Sequence, residues 1–519
     1  MIRNLATVGG MTLLSRVTGF ARDVLLAALL GASAANDAFQ IAFRLPNHFR
    51  AIFGEGAFNK AYVPAYVRTL QTEGAAPAKS FASRVFTLLL VSQIALLAVA
   101  LLFTPSLVDL LAPGFRDEPD KHALAVSLTR ITFPYLLCVT LVTLQSGTLN
   151  AHGRFAVAAF APVLLNVAMI AALALSFLFP SVAHAAAWGV LASGVLQLLL
   201  VGAASRRAGV LEGLARPRLD PPVRRFFRAL GPAVIGYAGV QIAMFADTII
   251  GSLLPTGGVS SIYYADRLYQ LPIGVIGIAA GTVLTPEMSR AFAADDPRAA
   301  HRAQNRALAV SLVLAAPFFV AFLLIPDFLT RAAFLRGRFN AEDALAAARV
   351  LAAYGVGLLP IVLIASAVAS FQSRGDTTTP MLVALAAVAG NVALKVVLFQ
   401  PMGAPGLALA TSVGAWINVL ALLGLAWRGG WFAPDRTLAK VALAVAVACG
   451  VLAQVAMFGR APARQAAAFA GPWSDIAAIA MLGSAGFVAY AIAFLVAARL
   501  AGLDLAALRP RRGPRGRTQ

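Results

Sequence analysis

Apolar runs long enough to cross a bilayer recur along this chain with only short polar breaks between them, and that pattern fixes most of what it can fold into. A bilayer-spanning helix takes about 20 mostly apolar residues. Such runs fall at 5–33, 35–69, 81–111, 122–150, 155–180, 183–204, 228–254, 260–290, 304–325, 343–372, 378–400, 404–427, 437–459 and 474–502. Hydrocarbon offers no water to backbone N–H and C=O groups, so each run must satisfy its own as a helix; the alternating pattern of a barrel strand is absent. The expected fold is an all-α polytopic membrane protein with about 14 transmembrane helices. Composition excludes a soluble enzyme: 60% of residues are hydrophobic and 12% charged, against roughly a quarter charged in soluble domains. Several runs are over-long, which predicts tilt, kinks or extramembrane extensions.

The net charge is +20, and its distribution argues against nucleic acid. With the N-terminus in the cytoplasm, most of the 42 Lys and Arg residues fall in loops and tails on that side, the positive-inside bias of a polytopic membrane protein. The main blocks are the 205–228 loop (Arg206, Arg207, Arg216, Arg218, Arg224, Arg225, Arg228) and the Arg-rich tail. An even helix count places both termini in the cytoplasm. Anionic membrane lipid is the expected partner of these segments, not nucleic acid. Cys138 and Cys449 lie within apolar runs and read as small core residues without a disulfide. Ala32-Ser33-Ala34 resembles a signal-peptide cleavage site, but Arg16, Arg22 and Asp23 interrupt the apolar core such a peptide needs.

An internal repeat emerges from shared offsets. Gly9-Gly10 recurs as Gly231-Pro232, Leu45-Pro46 as Leu271-Pro272, and Pro64 with Arg68 as Pro286 with Arg290. Gly153, ahead of a helix carrying Asn166, matches Gly375, ahead of a helix carrying Asn391. The offset spans six helices, an even number, so the repeat is parallel. The expected organisation is an N-lobe of helices 1–6 (1–204), a basic cytoplasmic linker (205–227) and a C-lobe of helices 7–12 (228–428). Two further helices (429–502) and a basic cytoplasmic tail (503–519) follow.

Charged residues inside the runs are the functional signal, because each is costly at bilayer depth. The first two runs hold Arg16, Arg22, Asp23, Arg44, Arg50, Glu55 and Lys60, with Asp37 at their junction; the second lobe adds Asp247, Asp266-Arg267, Glu287, Arg349 and Lys395. A single arginine near a helix end is usually a snorkelling side chain, which suits Arg68, Arg84 and Arg349. Arg16, Arg22, Arg50 and Arg267 sit too deep for that and predict a basic cavity. Guanidinium forks grip phosphate oxygens bidentately, so the expected occupant is a phosphate or diphosphate, with Asp23 and Glu55 offsetting part of the charge. Arg16 and Arg22, six residues apart, leave an ideal helix on different faces. Gly19 between them either loosens the helix so that both turn inward or permits close helix packing. Asp247 and Lys395 are expected to meet, since an unpaired buried charge is expensive.

Ser15-Arg16-Val17-Thr18-Gly19-Phe20-Ala21-Arg22-Asp23, Asp37-Ala38-Phe39, Leu45-Pro46-Asn47 and Phe53-Gly54-Glu55-Gly56-Ala57-Phe58 together resemble the N-terminal signature of the MurJ/MviN family. Tyr263-Tyr264-Ala265-Asp266-Arg267-Leu268 and Phe371-Gln372-Ser373-Arg374-Gly375-Asp376-Thr377 resemble later family segments. The resemblance implies the multidrug/oligosaccharidyl-lipid/polysaccharide exporter fold. It implies a lipid II flippase in peptidoglycan biosynthesis, moving the undecaprenyl-diphosphate-linked precursor from the cytoplasmic to the periplasmic leaflet by alternating access. Carried over residue by residue, the substrate-binding arginines are Arg16, Arg22, Arg50 and Arg267, supported by Asp23, Asp37, Asn47, Glu55 and Asp266. Helices 13 and 14 correspond to the groove that receives the lipid tail. Two departures stand out: Gln270 replaces an acidic residue of some relatives, and Lys395 follows Asn391 where a cation site would form. A monomer is expected, associating with the cell-wall synthesis machinery.

Three other functions fit parts of this pattern. A flippase for another polyprenyl-diphosphate oligosaccharide shares the fold and the diphosphate logic. A multidrug exporter shares the fold but wants an acidic pocket. A membrane glycosyltransferase needs a catalytic loop, and no phosphate-binding Gly-rich loop or metal-ligand cluster is visible; His48, His122, His152, His184 and His301 are scattered. A transporter is expected, without catalytic residue, cofactor or metal.

Overall fold

The computed structural model describes residues 2–50, 57–293 and 297–503. Among them every regular element is helical. The chain forms two compact units, Met1–Ser260 with Arg336–Asn340, and Ser261–Leu335 with Ala341–Gln519.

The first unit contains α1 (Ile2–Leu30), α2 (Ala34–Arg50), α3 (Ala57–Thr72), α4 (Ala75–Leu102), α5 (Thr104–Leu111), α6 (Pro119–Thr132), α7 (Pro134–Ala151), α8 (Phe155–Ala174), α9 (Val182–Arg207) and α10 (Pro221–Ser252). Breaks inside the predicted runs follow the prolines. Pro105 and Pro134 sit in the first turns of α5 and α7, where a missing N–H costs nothing and the ring stops the preceding helix. α10 starts seven residues before the predicted 228, because Asp220 caps it by accepting from the Val223 N–H at 3.1 Å and Pro221-Pro222 fit its first turn. α8 packs between α1 and α9, and α3 against α7 and α10. An aromatic core of Phe58, Tyr62, Tyr66, Phe81 and Phe226 joins α3, α4 and α10. The segment 336–340 belongs to this unit. Arg338 N–H donates to the Ala28 carbonyl at 2.8 Å. Gly337 beside it has φ +57°, and a Cβ there would come within 2.3 Å of that carbonyl oxygen, so only glycine fits.

The second unit contains most of α11 (Gly258–Ala293), then α12 (Pro297–Leu324), α13 (Pro326–Phe334), α14 (Ala341–Gly355), α15 (Leu358–Gln372), α16 (Thr378–Met402), α17 (Ala404–Arg428), α18 (Arg436–Phe458), α19 (Arg460–Ala467) and α20 (Ser474–Leu500). α16 packs on α17 as α8 packs on α9. Glycines matched by the expected repeat share local geometry. Gly153 and Gly375 end α7 and α15 in the left-handed conformation, φ 73° and 79°, each followed by an N–H that closes back onto the helix: Arg154 to Leu149 and Asp376 to Phe371. Gly209 and Gly430 do the same after α9 and α17. α18 and α20 pack on each other, and α12 on α18, through Ala309, Ala316, Val441, Ala444, Tyr490 and Phe494. Phe458, Phe487, Ile492 and Leu500 remain exposed, an apolar surface suited to hydrocarbon.

Helix is present at all fourteen predicted runs. Among the described residues, ten helices or helix pairs are long and apolar enough to cross a membrane: α4, α6–α7, α8, α9, α12, α14–α15, α16, α17, α18 and α20. The other four runs fall on α1, α2–α3, α10 and α11, which carry Arg16, Arg22, Asp23, Asp37, Asp247, Asp266 and Arg267. Lys395 is 1% exposed in mid-α16, while Asp247 in α10 is half-buried.

Candidate functional site

α1 runs unbroken through Gly19, so Arg16 and Arg22 do leave on different faces: Arg16 is exposed, Arg22 only 6% so. Gly19 serves packing. A Cβ there would lie 3.3 Å from Asn166 Nδ2, and its absence lets α8 bring Asn166 against α1. Asn166 Nδ2 donates to the Ser15 carbonyl at 2.9 Å and to Thr18 Oγ1 at 3.1 Å. Its Oδ1 accepts from Arg22 Nη1 at 3.0 Å. Arg22 Nε and Nη2 donate to Asp23 Oδ1 at 2.9 and 2.6 Å. The result is a charged, hydrogen-bonded triad inside apolar helices, with the guanidinium held by a carboxylate and an amide, as a buried charge requires.

A second buried cluster forms around Asp37 in the first turn of α2. Its carboxylate accepts from Gly257 N at 2.8 Å, Ser260 N at 2.9 Å and Ser260 Oγ at 2.6 Å, which caps the start of α11. Lys121 Nζ lies 3.4 Å from the Asp37 carboxylate. It donates to Glu118 Oε1 at 3.1 Å and Thr256 Oγ1 at 3.2 Å, and sits 4.4 Å over the Phe115 ring. Burial pushes the Glu118 carboxyl up, but the hydrogen bonds from Lys121 and Thr256 outweigh it and hold the group below its ordinary range.

In the second unit the Arg267 guanidinium lies 4.6 Å over the Tyr263 ring, one helical turn away on α11, a cation–π contact. Gln270 Nε2 donates to Asp266 Oδ2, one helical turn back on α11. Tyr269 stacks on Tyr354 at 5.0 Å.

Of the predicted site residues, the structure brings Arg22 and Asp23 together. Asp37 joins Lys121 rather than an arginine. Asn47 is half-buried just past Pro46 in α2, and Arg50 closes that helix. Glu55 lies outside the described residues. Asp266 and Arg267 are half-buried neighbours on α11. The sequence reading missed Lys121, placed in a loop, and Glu118 and Ser260. Asn166 entered only as a mark of the repeat, and its place in a helix rich in Ala, Val and Leu was the signal available.

Among the described residues no group of His, Cys, Asp and Glu is arranged to hold a metal ion. A family model described as "Lipid II flippase MurJ" matches residues 26–468. The chain belongs to the MurJ family. It is 42% identical over 437 residues to a probable lipid II flippase MurJ of Rhizobium meliloti, covering 83% of this chain and 82% of that one. It is 36% identical over 517 residues to a counterpart in Rhizobium tropici, covering 98% and 96%. The fold resembles a solved lipid II flippase MurJ in an inward closed conformation, with a TM-score of 0.78 at 24% identity over 95% of this chain and 98% of that one. It also resembles an inward-facing multidrug-resistance MATE transporter, with a TM-score of 0.67 at 16% identity over 82% of this chain and 98% of that one. Asp37, Arg50 and Arg267 stand inside the MurJ match, whereas Arg16, Arg22 and Asp23 precede its first residue. The alignment with the Rhizobium tropici relative, over 98% of this chain, extends across them.

Proposed function

We propose that this chain is a lipid II flippase of the bacterial inner membrane, carrying the undecaprenyl-diphosphate-linked precursor from the cytoplasmic to the periplasmic leaflet. Family membership across residues 26–468 is the observation that carries this reading. The mechanism we infer is alternating access between two lobes, bounded as the repeat suggests at 1–204 and 228–428, with the 429–502 helices receiving the lipid tail. The diphosphate is held by Arg16, Arg22, Arg50 and Arg267. Guanidinium is permanently charged and bidentate, which suits a diphosphate in a low-dielectric cavity. Arg22 is fixed by Asp23 and Asn166, and Arg267 rests on Tyr263; such support holds a fork ready for an incoming anion. The chain acts as a monomer with both termini in the cytoplasm, close to the cell-wall synthesis machinery, and it performs transport, not catalysis.

The test is depletion rescue. The chain is expressed in cells whose own lipid II flippase is removed, and lipid II reaching the periplasmic leaflet is measured alongside growth. Growth with restored translocation is expected. Normal assembly in the membrane with no translocation of lipid II would refute the substrate, and export of another polyprenyl-diphosphate sugar would replace it.

A further inference from the structure

The stretch that joins α9 to α10, residues 208–220, holds Arg216 and Arg218 and two acids; Asp220 caps α10, and the reading above leaves Glu212 unused. Water should hold such a residue. Instead Glu212 is 5% exposed, seated between α3, α4 and α7 with the strap around it. Its Oε1 lies 2.6 Å from Thr148 Oγ1, and Thr148 Oγ1 lies 2.8 Å from the Tyr62 hydroxyl. Its Oε2 is buried without a hydrogen-bond partner. The strap is pinned on either side of it. Gly213 N–H donates to Ser83 Oγ at 3.1 Å and Ala215 N–H to Thr87 Oγ1 at 3.0 Å, and Arg84 pairs with Asp220 where the strap ends.

The chemistry of the pocket favours a neutral acid. A bare anionic oxygen in apolar surroundings costs far more than a bare carbonyl. The groups facing Glu212 do not rescue a charge. Tyr62 and Tyr66 come from α3, and the Tyr66 hydroxyl is engaged with His152 Nε2 at 2.9 Å. Lys79 of α4 is the cation whose field reaches the carboxyl, but it is exposed, as is His152, and water screens both. Thr148 Oγ1 donates to Glu212 Oε1 at 2.6 Å; protonation of the acid reverses this bond, and the Tyr62 hydroxyl then donates to Thr148 Oγ1.

We propose that Glu212 is a proton-binding site, and that seating the strap on α4 and α7 takes up one proton from the cytoplasmic side. Burial raises the carboxyl above its ordinary range, more than the Thr148 hydrogen bond, the residue's own backbone N–H and Lys79 lower it. The sign follows: a pKa raised in the seated state makes seating strongest at low pH and weakens it as pH climbs through the raised value. Lifting the strap returns Glu212 to water and releases the proton.

The Gly213 and Ala215 amides report seating directly. Their hydrogen exchange is followed in the full chain in lipid nanodiscs from mildly acid to mildly alkaline pH, for wild type, Glu212→Gln and Glu212→Ala. Gln copies the neutral acid, so E212Q stays protected throughout and supplies the reference for base-catalysed exchange. Wild type should lose protection relative to E212Q by about tenfold per pH unit once the acid ionises. E212A should be unprotected at every pH. Parallel wild-type and E212Q profiles would mean that no proton is held, and wild-type protection in E212A would mean that Glu212 does not seat the strap. If E212A fails to assemble, the comparison with E212Q decides alone.

Discussion

Arg22→Ala isolates the contribution of the buried triad. Asp23 is 2% exposed and accepts from both Nε and Nη2 of the guanidinium. Deleting one partner of a buried ion pair costs about 3–5 kcal/mol, because the remaining charge loses its nearest counter-ion. Adding Asp23→Asn removes that charge and leaves chiefly the Asn166 Oδ1 acceptor bare, a penalty of about 1–3 kcal/mol. The double variant should therefore recover roughly 2 kcal/mol of what the single one loses. Thermal unfolding of the full chain in nanodiscs reads the difference, with growth complementation in parallel. Stability should improve from single to double while growth does not, since neither variant keeps the fork. Arg22→Lys should fall between wild type and Ala in growth. An Arg22→Ala protein as stable as wild type, or a double variant no better than the single, would refute the coupling.

Three more outcomes follow from geometry already given. Lys121→Met should destabilise the fold, because it takes the cation from the buried Asp37 carboxylate while Lys121→Arg keeps one there; unfolding temperatures of the two variants decide, and equal values would refute the pairing. Asp220→Ala removes the cap of α10 and should cost about 1 kcal/mol, read in the same assay against Asp220→Asn, which keeps the cap. Single cysteines at Pro217 and Asp117 should react with a membrane-impermeant thiol reagent from opposite sides, and labelling of both from outside would overturn the proposed topology.

The helices were legible because hydrocarbon leaves a backbone one way to satisfy itself, so apolar length alone located helix at each run. Their breaks at Pro105 and Pro134 were not placed, since each run was read as one continuous span, although a proline at N1 or N2 is the mark of a new helix. Partnerships were not legible. Asn166 meets Arg22 only through the packing of α8 on α1, and Lys121 meets Asp37 only because α6 lies on α2. Neither follows from spacing along the chain. Glu212 shows the limit most clearly: in a short connection bearing Gly209, Gly213 and Pro217 a lone carboxylate is expected in water, and only the tertiary pocket formed by α3, α4 and α7 takes it in.

The five residues 336–340 set an order on biogenesis. The first unit is otherwise complete at Ser260, yet Gly337 and Arg338 close onto Ala28 only after the ribosome has passed them. At about 5–20 residues per second that interval is roughly 4–15 s, during which the Ala28 carbonyl, at the end of α1 nearest Asp37, waits for its donor. A nascent chain arrested before residue 336 should thus hold an N-terminal half that is inserted but open at that corner. Split-gene expression that divides the chain at 260 would have to return this short segment in trans.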